Sequence, residues 1–307
     1  MHAAADRLTW GMELETFGLG VLGAANAVAA AVGGRVVFAG GYYQTHEVVM
    51  ADGRKWSVVT DGSIRGSGGA EVVTPICKGL AGEDMENLQK VVRALRSAGA
   101  QVNDSCGLHV HVGAQALGAA GVRHLVLLWN RWEDHMMQAS GGRPGRDVFS
   151  KKQDPAFVDA MVKAGRGVTV GDVNKAWYGR SYEYAPRTAN DHYNQTRYRS
   201  LNLHAMFWHG TVEFRCWDAT LHAGKVRAAV VASVCAAAVA LDCADRNVSF
   251  TAHKPMPTGR GTAHLFEGFL TGWLKLSKRD NVFAHLTERH RAAGWYEGDK
   301  VNGREAA

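Results

Sequence analysis

Two glutamates near the start of the chain lie two residues apart, at Glu13 and Glu15 in the stretch TWGMELETFG. Successive side chains of a β-strand point to opposite faces, so both carboxylates would share one face while Met12 and Leu14 face a core. Neighbouring ionised carboxylates repel each other unless a cation lies between them or water solvates them. The pair therefore predicts either a cation site or the solvent-facing side of a strand.

Two histidines repeat this spacing at His109 and His111 in CGLHVHVG, where the intervening residues are apolar. Two imidazoles on one strand face can ligate a metal or contact phosphate. A zinc site, a non-haem iron site or two surface histidines would give the same pattern. The motif alone leaves these alternatives open.

A third pair, Glu213 and Arg215 in GTVEFRCWD, would again share one face of a strand. Just upstream, RYRSLNLHA carries Arg197, Arg199 and Asn202 on what we expect to be the adjacent strand of a hairpin. An ordinary ion pair explains Glu213 and Arg215 equally well in isolation. Arginine is also the preferred bidentate partner of phosphate, so the group suits an anionic ligand.

Acidic residues flank a Gly/Ser-rich loop in WSVVTDGSIRGSGGAEVVTP, at Asp61 and Glu71. No G-K-[S/T] follows the loop, so it is not a Walker motif, and Asp61 receives no definite role. The chain thus offers mainly hard oxygen ligands, which Mg²⁺ prefers, beside arginines suited to phosphoryl transfer. The candidate metal ligands are Glu13, Glu15, Glu71, His109 and Glu213.

The motifs resemble, in order and spacing, the amidoligase family of the glutamine synthetase and glutamate–cysteine ligase superfamily. The similar stretch runs from about Thr9 to Leu241 and contains GMELE, DGS, GAEVVTP, CGLHVHVG, RSLNL and GTVEFR. The resemblance implies an α+β fold of the glutamine synthetase catalytic type. In that fold a curved, mainly antiparallel sheet forms a funnel, with helices packed on its outer face.

The resemblance also implies a function, an ATP-dependent carboxylate–amine ligase that forms a peptide or isopeptide-type amide bond through an acyl phosphate. The candidate ligands would hold two or three Mg²⁺ or Mn²⁺ ions, and Arg199, Arg215 and Glu213 would be catalytic. The substrates would be a small-molecule or peptide carboxylate and an amine. The residues expected to contact ATP are His111, Arg199, Arg215, Lys151 and Asn202.

Three other functions stay open at this point. An ATP-dependent phosphotransferase of the same superfamily would use the same groups without forming an amide. A metalloenzyme could hold zinc or iron on His109 and His111 with a carboxylate. A non-catalytic binding module could retain the fold without turnover.

Regular elements must position these motifs, and the pattern of apolar residues predicts them. Asp52-Gly53 between two apolar runs indicates a hairpin. Strands are expected at Leu8–Phe17, Arg35–Phe38, Glu47–Met50, Lys55–Thr60, Ala70–Thr74, Gly107–Val112, Arg199–Ala205 and Thr211–Trp217. Helices are expected at Leu19–Val32, Gly82–Ala98, Val122–Met137, Ala223–Asp242 and Leu265–Leu276.

Periodicity weakens at about residues 141–195, which are rich in Gly, Arg, Lys, Asp and Tyr. We expect one helix there, near Pro155 to Lys163, inside a variable insert. The insert would form part of the substrate mouth and a lid, or equally a solvated loop. Its candidate phosphate-binding cations are Arg143, Arg146, Lys151, Lys152, Lys175, Arg180 and Arg187.

Composition favours one globular domain over residues 1–307, with a net charge of +6 that suits an acidic partner. Nucleic acid is not indicated, because no run of five basic residues occurs. Five cysteines without a C-x-x-C pattern, and no targeting segment, predict a cytoplasmic protein with reduced thiols. The most apolar stretch, Ala228–Leu241, has about 14 residues and predicts a buried helix instead of a membrane span.

Overall fold

The computed structural model describes residues 1–141, 148–179, 191, 194–248, 253–297, 300–301 and 304–305. The fold is α+β, as expected, with a nine-stranded sheet whose strand pairs are all antiparallel. The strands are β1 (Thr9–Thr16), β2 (Arg35–Gly40), β3 (Thr45–Val49), β4 (Lys55–Val59), β5 (Ala70–Val73), β6 (Cys77–Lys78), β7 (Gly107–Gly113), β8 (Leu201–Asn202) and β9 (Thr211–Asp218).

The sheet order places the three sequence motifs side by side. It runs β2-β3-β4-β5-β1-β7-β9-β8, with β6 pairing to one end of β1. The glutamate strand β1 is therefore central, between the strand of Glu71 and the strand of the two histidines. The sheet stays open between β2 and β8, and its curvature into a funnel stays a prediction.

Helices cover one face of this sheet. The main ones are α1 (Gly20–Val32), α2 (Glu83–Ser97), α3 (Ala114–Ser140) and α7 (Ala223–Asp245). Helix α1 packs on β3, β4 and β5, α3 packs on β9, and α7 packs on β1 and β7. The shorter helices are α4 (Pro155–Ala164), α5 (Val170–Tyr178), α6 (His204–Trp208), α8 (Ala263–Gly268) and α9 (Asn281–Ala292).

The apolar face of the sheet follows from the alternation in the sequence. Met12 and Leu14 of β1 and Val110 and Val112 of β7 are almost completely buried in the core. A strand side chain lies on the opposite face from its neighbours, so the intervening glutamates and histidines lie on the face away from these helices. The fold thus separates a dry core from a polar face on the same strands.

Helix α7 is the central core helix. Its small Ala, Val and Cys side chains are buried along nearly its whole length, which allows close packing against α3 and the sheet. It is longer than the sequence predicts and, by length and composition only, could cross a membrane. Because 89% of its most apolar window is buried inside the protein, it is explained as a core helix.

The hairpin at Asp52-Gly53 is confirmed between β3 and β4, with Gly53 at a φ of 83°. The strand expected at Arg199–Ala205 is wrong, because only Leu201 and Asn202 pair in the sheet. Helix α6 follows at once, since the Asn202 side-chain oxygen accepts a hydrogen bond from the His204 backbone N–H and turns the chain. Helices α5 and α9 were not predicted from the sequence.

Candidate metal and phosphate site

Strand register brings the first two motifs into direct contact on the polar face. Glu13 lies opposite His109 across β1 and β7, and Glu15 lies opposite Glu71 across β1 and β5. The Oε2 atom of Glu13 is 3.1 Å from Nδ1 of His109. Three of the expected strands therefore supply one continuous group of side chains.

The second histidine belongs to the same group. His111 lies opposite Glu213 in the ladder between β7 and β9. Its Nε2 atom is 3.2 Å from Glu13 Oε1 and 3.9 Å from Glu213 Oε1. Its Nδ1 atom is 2.9 Å from the hydroxyl oxygen of Thr211, which fixes the ring.

Arg215 ends the row on β9. Its Nη1 donates to Oε1 of Glu213 at 2.5 Å, and Nδ2 of Asn202 donates to the other carboxylate oxygen at 2.6 Å. Arg215 is buried, with 7% of its surface exposed, and the ring centre of Tyr198 lies 6.0 Å from its guanidinium carbon. A permanent cation thus lies at the end of an acidic group in a site largely shielded from water.

A β-bulge aims the Arg215 side chain. One residue, His109, separates the paired positions Leu108 and Val110 on β7, whereas two residues separate their partners Trp217 and Phe214 on β9. The extra residue turns Trp217 toward the helices, where its indole N–H donates to the Ser233 hydroxyl of α7. Bulges re-aim side chains in this way beside functional sites.

The acidic and imidazole ligand atoms form three overlapping clusters, within each of which they lie at most 4.8 Å apart. Glu13 belongs to two of the clusters, and Glu71 also belongs to two. The three clusters therefore form one connected row. The clusters are Glu13, His111 and Glu213; Glu13, Glu71 and His109; and Glu15, Asp61 and Glu71. This donor set of carboxylates with one imidazole or none is the kind that Mg²⁺ and Mn²⁺ accept.

The carboxylates at the acidic end are only partly compensated by positive charge. Burial raises the pKa of Glu71 well above its ordinary value, the charges of Glu13, Glu15 and Asp61 raise it further, and the charge of Arg215 opposes this shift without reversing it. A group of like charges held close together in a partly buried row is costly unless a cation neutralises it. The electrostatics therefore favour bound divalent ions at this end.

At the opposite end of the row, toward Glu213 and Arg215, acidic and basic side chains balance each other's charge. Burial alone would raise the pKa of Glu13, but the charge of His111 and hydrogen bonds from His109 and His111 lower it well below its ordinary value. Burial would also raise the pKa of Glu213, yet Arg215 and the two histidines lower it. Burial lowers the pKa of His111, but Glu13 and Glu213 outweigh this and raise it to about 8.

The Gly/Ser-rich loop places the Asp61 carboxylate beside those of Glu15 and Glu71. The Asp61 carboxylate accepts a hydrogen bond from the Ser63 backbone N–H at 2.7 Å. The loop is held against the start of α1, since Gly20 N–H donates to the Gly68 carbonyl at 3.0 Å. Glu15 is held by the Gly107 N–H, which donates to its Oε2 at 2.5 Å.

Arg199 contacts protein groups in the structure, whereas the sequence predicted a contact with nucleotide phosphate. Its guanidinium donates to the Lys152 carbonyl at 2.6 Å and to the Asp154 carboxylate at 3.2 Å. Lys152 pairs with Asp134, and Lys151 is exposed with its backbone bound to Tyr198 and Ser200. Contact of Arg199 and Lys151 with a nucleotide stays a prediction.

The remaining cations of the insert divide into two groups. Lys175 lies exposed on α5, at a surface depression lined also by Val170 and Phe207. Four others lie outside the described residues, namely Arg143, Arg146, Arg180 and Arg187.

Sequence reasoning missed two residues beside the site. Tyr198 covers Arg215, although RYRSLN shows nothing to distinguish this ring from a surface tyrosine. Glu133, within the helical run NRWEDHM, is 3% exposed although helix carboxylates are usually solvated. Its spacing from the apolar residues Trp129 and Met136 of α3 indicates the buried face of that helix.

The chain matches a known protein family. Residues 6–237 match the model of a family described as "Putative amidoligase enzyme". The matched range starts before β1 and ends within α7, so it includes every residue of the three clusters. No curated protein matches the chain.

Proposed function

Because the chain belongs to the amidoligase family, we propose that it is an ATP-dependent ligase that joins a carboxylate and an amine in an amide bond. The observation that carries this proposal is the connected row of three clusters ending at buried Arg215. Phosphoryl transfer requires metal ions that bridge phosphate oxygens and a cation that stabilises developing charge. The row offers both kinds of group on one face.

The residues fit two or three Mg²⁺ or Mn²⁺ ions. The mutually repelling carboxylates of the acidic end and the shared ligand Glu13 favour divalent cations, and hard oxygen donors predominate. When bound, such ions would neutralise the phosphates of ATP and polarise the γ-phosphoryl group. The ligands would be Glu13, Glu15, Asp61, Glu71, His109, His111 and Glu213.

We infer a two-step reaction. A carboxylate oxygen of the substrate attacks the γ-phosphorus of ATP, the bond to the β-phosphate oxygen breaks, and ADP leaves. The amine nitrogen then attacks the acyl carbon, phosphate leaves, and the nitrogen loses a proton. Arg215 would stabilise the transferring phosphoryl group, while Asn202 and Glu213 hold its guanidinium in place. Small-molecule or peptide substrates in the cytosol are part of this proposal.

The location of the two histidines disfavours the metalloenzyme alternative. His109 and His111 belong to different clusters, and each cluster is completed by carboxylates. A zinc or iron site built on both imidazoles would need them in one group. A phosphotransferase would use the same row, so only the need for an amine separates it from a ligase.

The first test is binding of Mn²⁺ and a non-hydrolysable ATP analogue, followed by electron paramagnetic resonance and crystallography. We expect Mn²⁺ on the clusters and analogue phosphates beside Arg215. A single zinc ion on His109 and His111 without nucleotide would overturn the ligase proposal and favour the metalloenzyme.

The second test separates ligase from phosphotransferase. ADP release is measured with pools of carboxylates, with and without hydroxylamine as a trapping amine. A ligase gives a hydroxamate and carboxylate-dependent ADP. A stable phosphorylated product without any amine would show a phosphotransferase instead.

A further inference from the structure

A buried carboxylate on α3 lies outside the row of clusters. Glu133 is 3% exposed and accepts hydrogen bonds from the Gln153 backbone N–H at 3.0 and 3.2 Å, one to each oxygen. The Ser200 hydroxyl donates to the same carboxylate. A buried charge of this kind persists only where such donors surround it.

Ser200 connects this carboxylate to the strand of the candidate site. It is fully buried, and its hydroxyl accepts a hydrogen bond from the Trp129 indole N–H at 2.8 Å. Its carbonyl accepts the Arg215 backbone N–H at 2.7 Å, at the β-bulge. One residue therefore bonds both to Glu133 and to the backbone that aims the Arg215 guanidinium.

Glu133 also holds residues 151–153 of the insert against the segment that leads into β8. Lys151 N–H donates to the Tyr198 carbonyl at 3.0 Å, and Ser200 N–H donates to the Lys151 carbonyl at 2.8 Å. The Gln153 side chain donates to the Leu201 carbonyl at 2.9 Å. Residues 151–153 thus lie beside residues 198–201, with one parallel bridge between Lys151 and Arg199, and Glu133 bonds to both segments.

We propose that Glu133 is a positioning residue that locks residues 151–153 and Ser200 onto β9 and thereby sets the β-bulge at Arg215. The catalytic part of this role rests on the proposed ligase function. The proposal that Glu133 holds residues 151–153 and Ser200 in place does not depend on that function, because it concerns only hydrogen bonds within the chain.

The lock depends on the charge of Glu133. Every group bonded to it is a donor, so protonation removes one acceptor position and weakens the lock. Burial raises the pKa of Glu133 to about 7, against the opposing effect of the Ser200 and Gln153 hydrogen bonds. The charged groups that face it are Asp134 on α3 and Lys152 on the insert, which pair with each other.

The test compares Glu133→Gln and Glu133→Ala with Asp134→Ala as matched control. Asp134 is the next residue of the same helix and also contacts the insert, through Lys152 at the surface. We expect both Glu133 variants to speed amide hydrogen exchange in residues 148–154 and 198–202, whereas the control leaves it near wild type. If amide hydrogen exchange in these residues is unchanged in Glu133→Gln, the proposal that Glu133 holds them in place is overturned.

The functional readout is affinity for Mg²⁺ with inorganic tripolyphosphate. We expect about a tenfold loss in Glu133→Gln, at the low end for residues that support a binding group from behind. The wild-type affinity should fall as pH drops through 7, while that of Glu133→Gln should not follow this step. His111 titrates in both proteins, so their difference isolates Glu133.

The outcomes separate the two proposals. If the wild type binds no Mg²⁺-tripolyphosphate, the proposed function fails, while hydrogen exchange still decides the lock. If the wild type binds and both Glu133 variants bind equally well with the same pH dependence, the positioning role is overturned. Should Glu133→Ala fail to fold, Ser200→Ala supplies the second variant, since it removes the hydroxyl and keeps the carbonyl that Arg215 uses.

Discussion

At the scale of single residues, the candidate site is a gradient of charge along one sheet face. At the acidic end, around Glu15 and Glu71, the carboxylates outnumber the positive charge that Arg215 contributes. The other end has Arg215 paired to Glu213 at 2.5 Å. Under the proposed function, metal ions would be attracted to the first end and anionic phosphate to Arg215, and this arrangement would help to orient a metal–nucleotide complex.

Replacing Arg215 by lysine tests the phosphate end. Lysine keeps the charge but loses the planar fork, so we expect turnover to fall about 100-fold, as when one transition-state donor is removed. Mn²⁺ affinity should change little, because the charge next to Glu213 remains. Steady-state kinetics and electron paramagnetic resonance titration measure the two effects.

Arg199→Lys is the matched comparison for this experiment. Arg199 donates to Lys152 and Asp154 in the structure, so we expect a much smaller loss of turnover than for Arg215→Lys. An equal loss would show that Arg199 acts on phosphate, as the resemblance implies, and that the contacts seen here change during the reaction.

At the scale of elements, the sequence indicates which strands exist but not which strands meet. Alternation in MELE, HVHV and VEFR predicts that each pair shares a face, and the structure confirms it. The contacts between strands depend on sheet order, which no local pattern encodes. That Glu15 faces Glu71 and His111 faces Glu213 could not be predicted from spacing alone.

Irregular segments account for the errors. RYRSLNLHA alternates like a strand, but the Asn202 side chain bonds to the His204 N–H and starts a helix. The bulge on β9 was also unpredicted, although the alternation in GTVEFRCWD breaks at the adjacent apolar residues Cys216 and Trp217. Tertiary hydrogen bonds, such as that of Ser200 with Arg215, decide such local breaks.

The glycine-rich loop that carries Asp61 offers a test at this scale. Gly68 has a φ of 69°, and a Cβ atom there would lie 2.8 Å from the Gly20 nitrogen. We expect Gly68→Ala to destabilise the fold by about 1–3 kcal/mol through backbone strain and to weaken binding at the Asp61 cluster. Denaturant unfolding and Mn²⁺ titration measure both.

Gly62→Ala is the control for this substitution. A Cβ at Gly62 meets nothing within 4 Å, although it lies next to Asp61. Its stability and Mn²⁺ affinity should match the wild type. If Gly62→Ala and Gly68→Ala destabilise the protein equally, the close approach of residue 68 to Gly20 does not explain the effect.

At the scale of the whole molecule, the packing of the C-terminal helix α9 makes stability depend on pH. His290 of α9 is fully buried, stacks on Phe266 with ring centres 4.5 Å apart, and lies beside His135 of α3. Burial lowers the pKa of His290 to about 3. This ring is therefore neutral in the folded protein where it would be charged in the unfolded chain.

The sign of the effect follows from linkage. Between the unfolded pKa of 6.5 and the folded pKa of about 3, the unfolded state binds more protons, so stability falls as pH falls. The loss is at most about 1.4 kcal/mol for each pH unit. The His290→Phe variant keeps the stacking on Phe266. Its melting temperature should therefore fall less than that of the wild type when the pH drops from 7 to 5.

His46→Phe serves as the control, since His46 lies on β3 next to exposed Phe38 and outside the packed core. Its melting temperature should show the same pH dependence as the wild type. If His290→Phe behaves like this control, the buried imidazole does not govern acid stability. Thermal unfolding at fixed ionic strength is the measurement.

The sharing of Glu13 between two clusters would make the ion positions of the proposed function interdependent. A first ion would order this carboxylate and cancel part of its repulsion with Glu71, and it would also repel a second ion that uses the same ligand. The occupancies are thus linked, and reciprocity requires each ion to alter the affinity of the other by the same factor. Where the repulsion between the ions exceeds the gain from ordering Glu13, a form with one bound ion should persist over a range of free Mg²⁺, and the fraction of fully loaded molecules should follow the Mg²⁺ concentration.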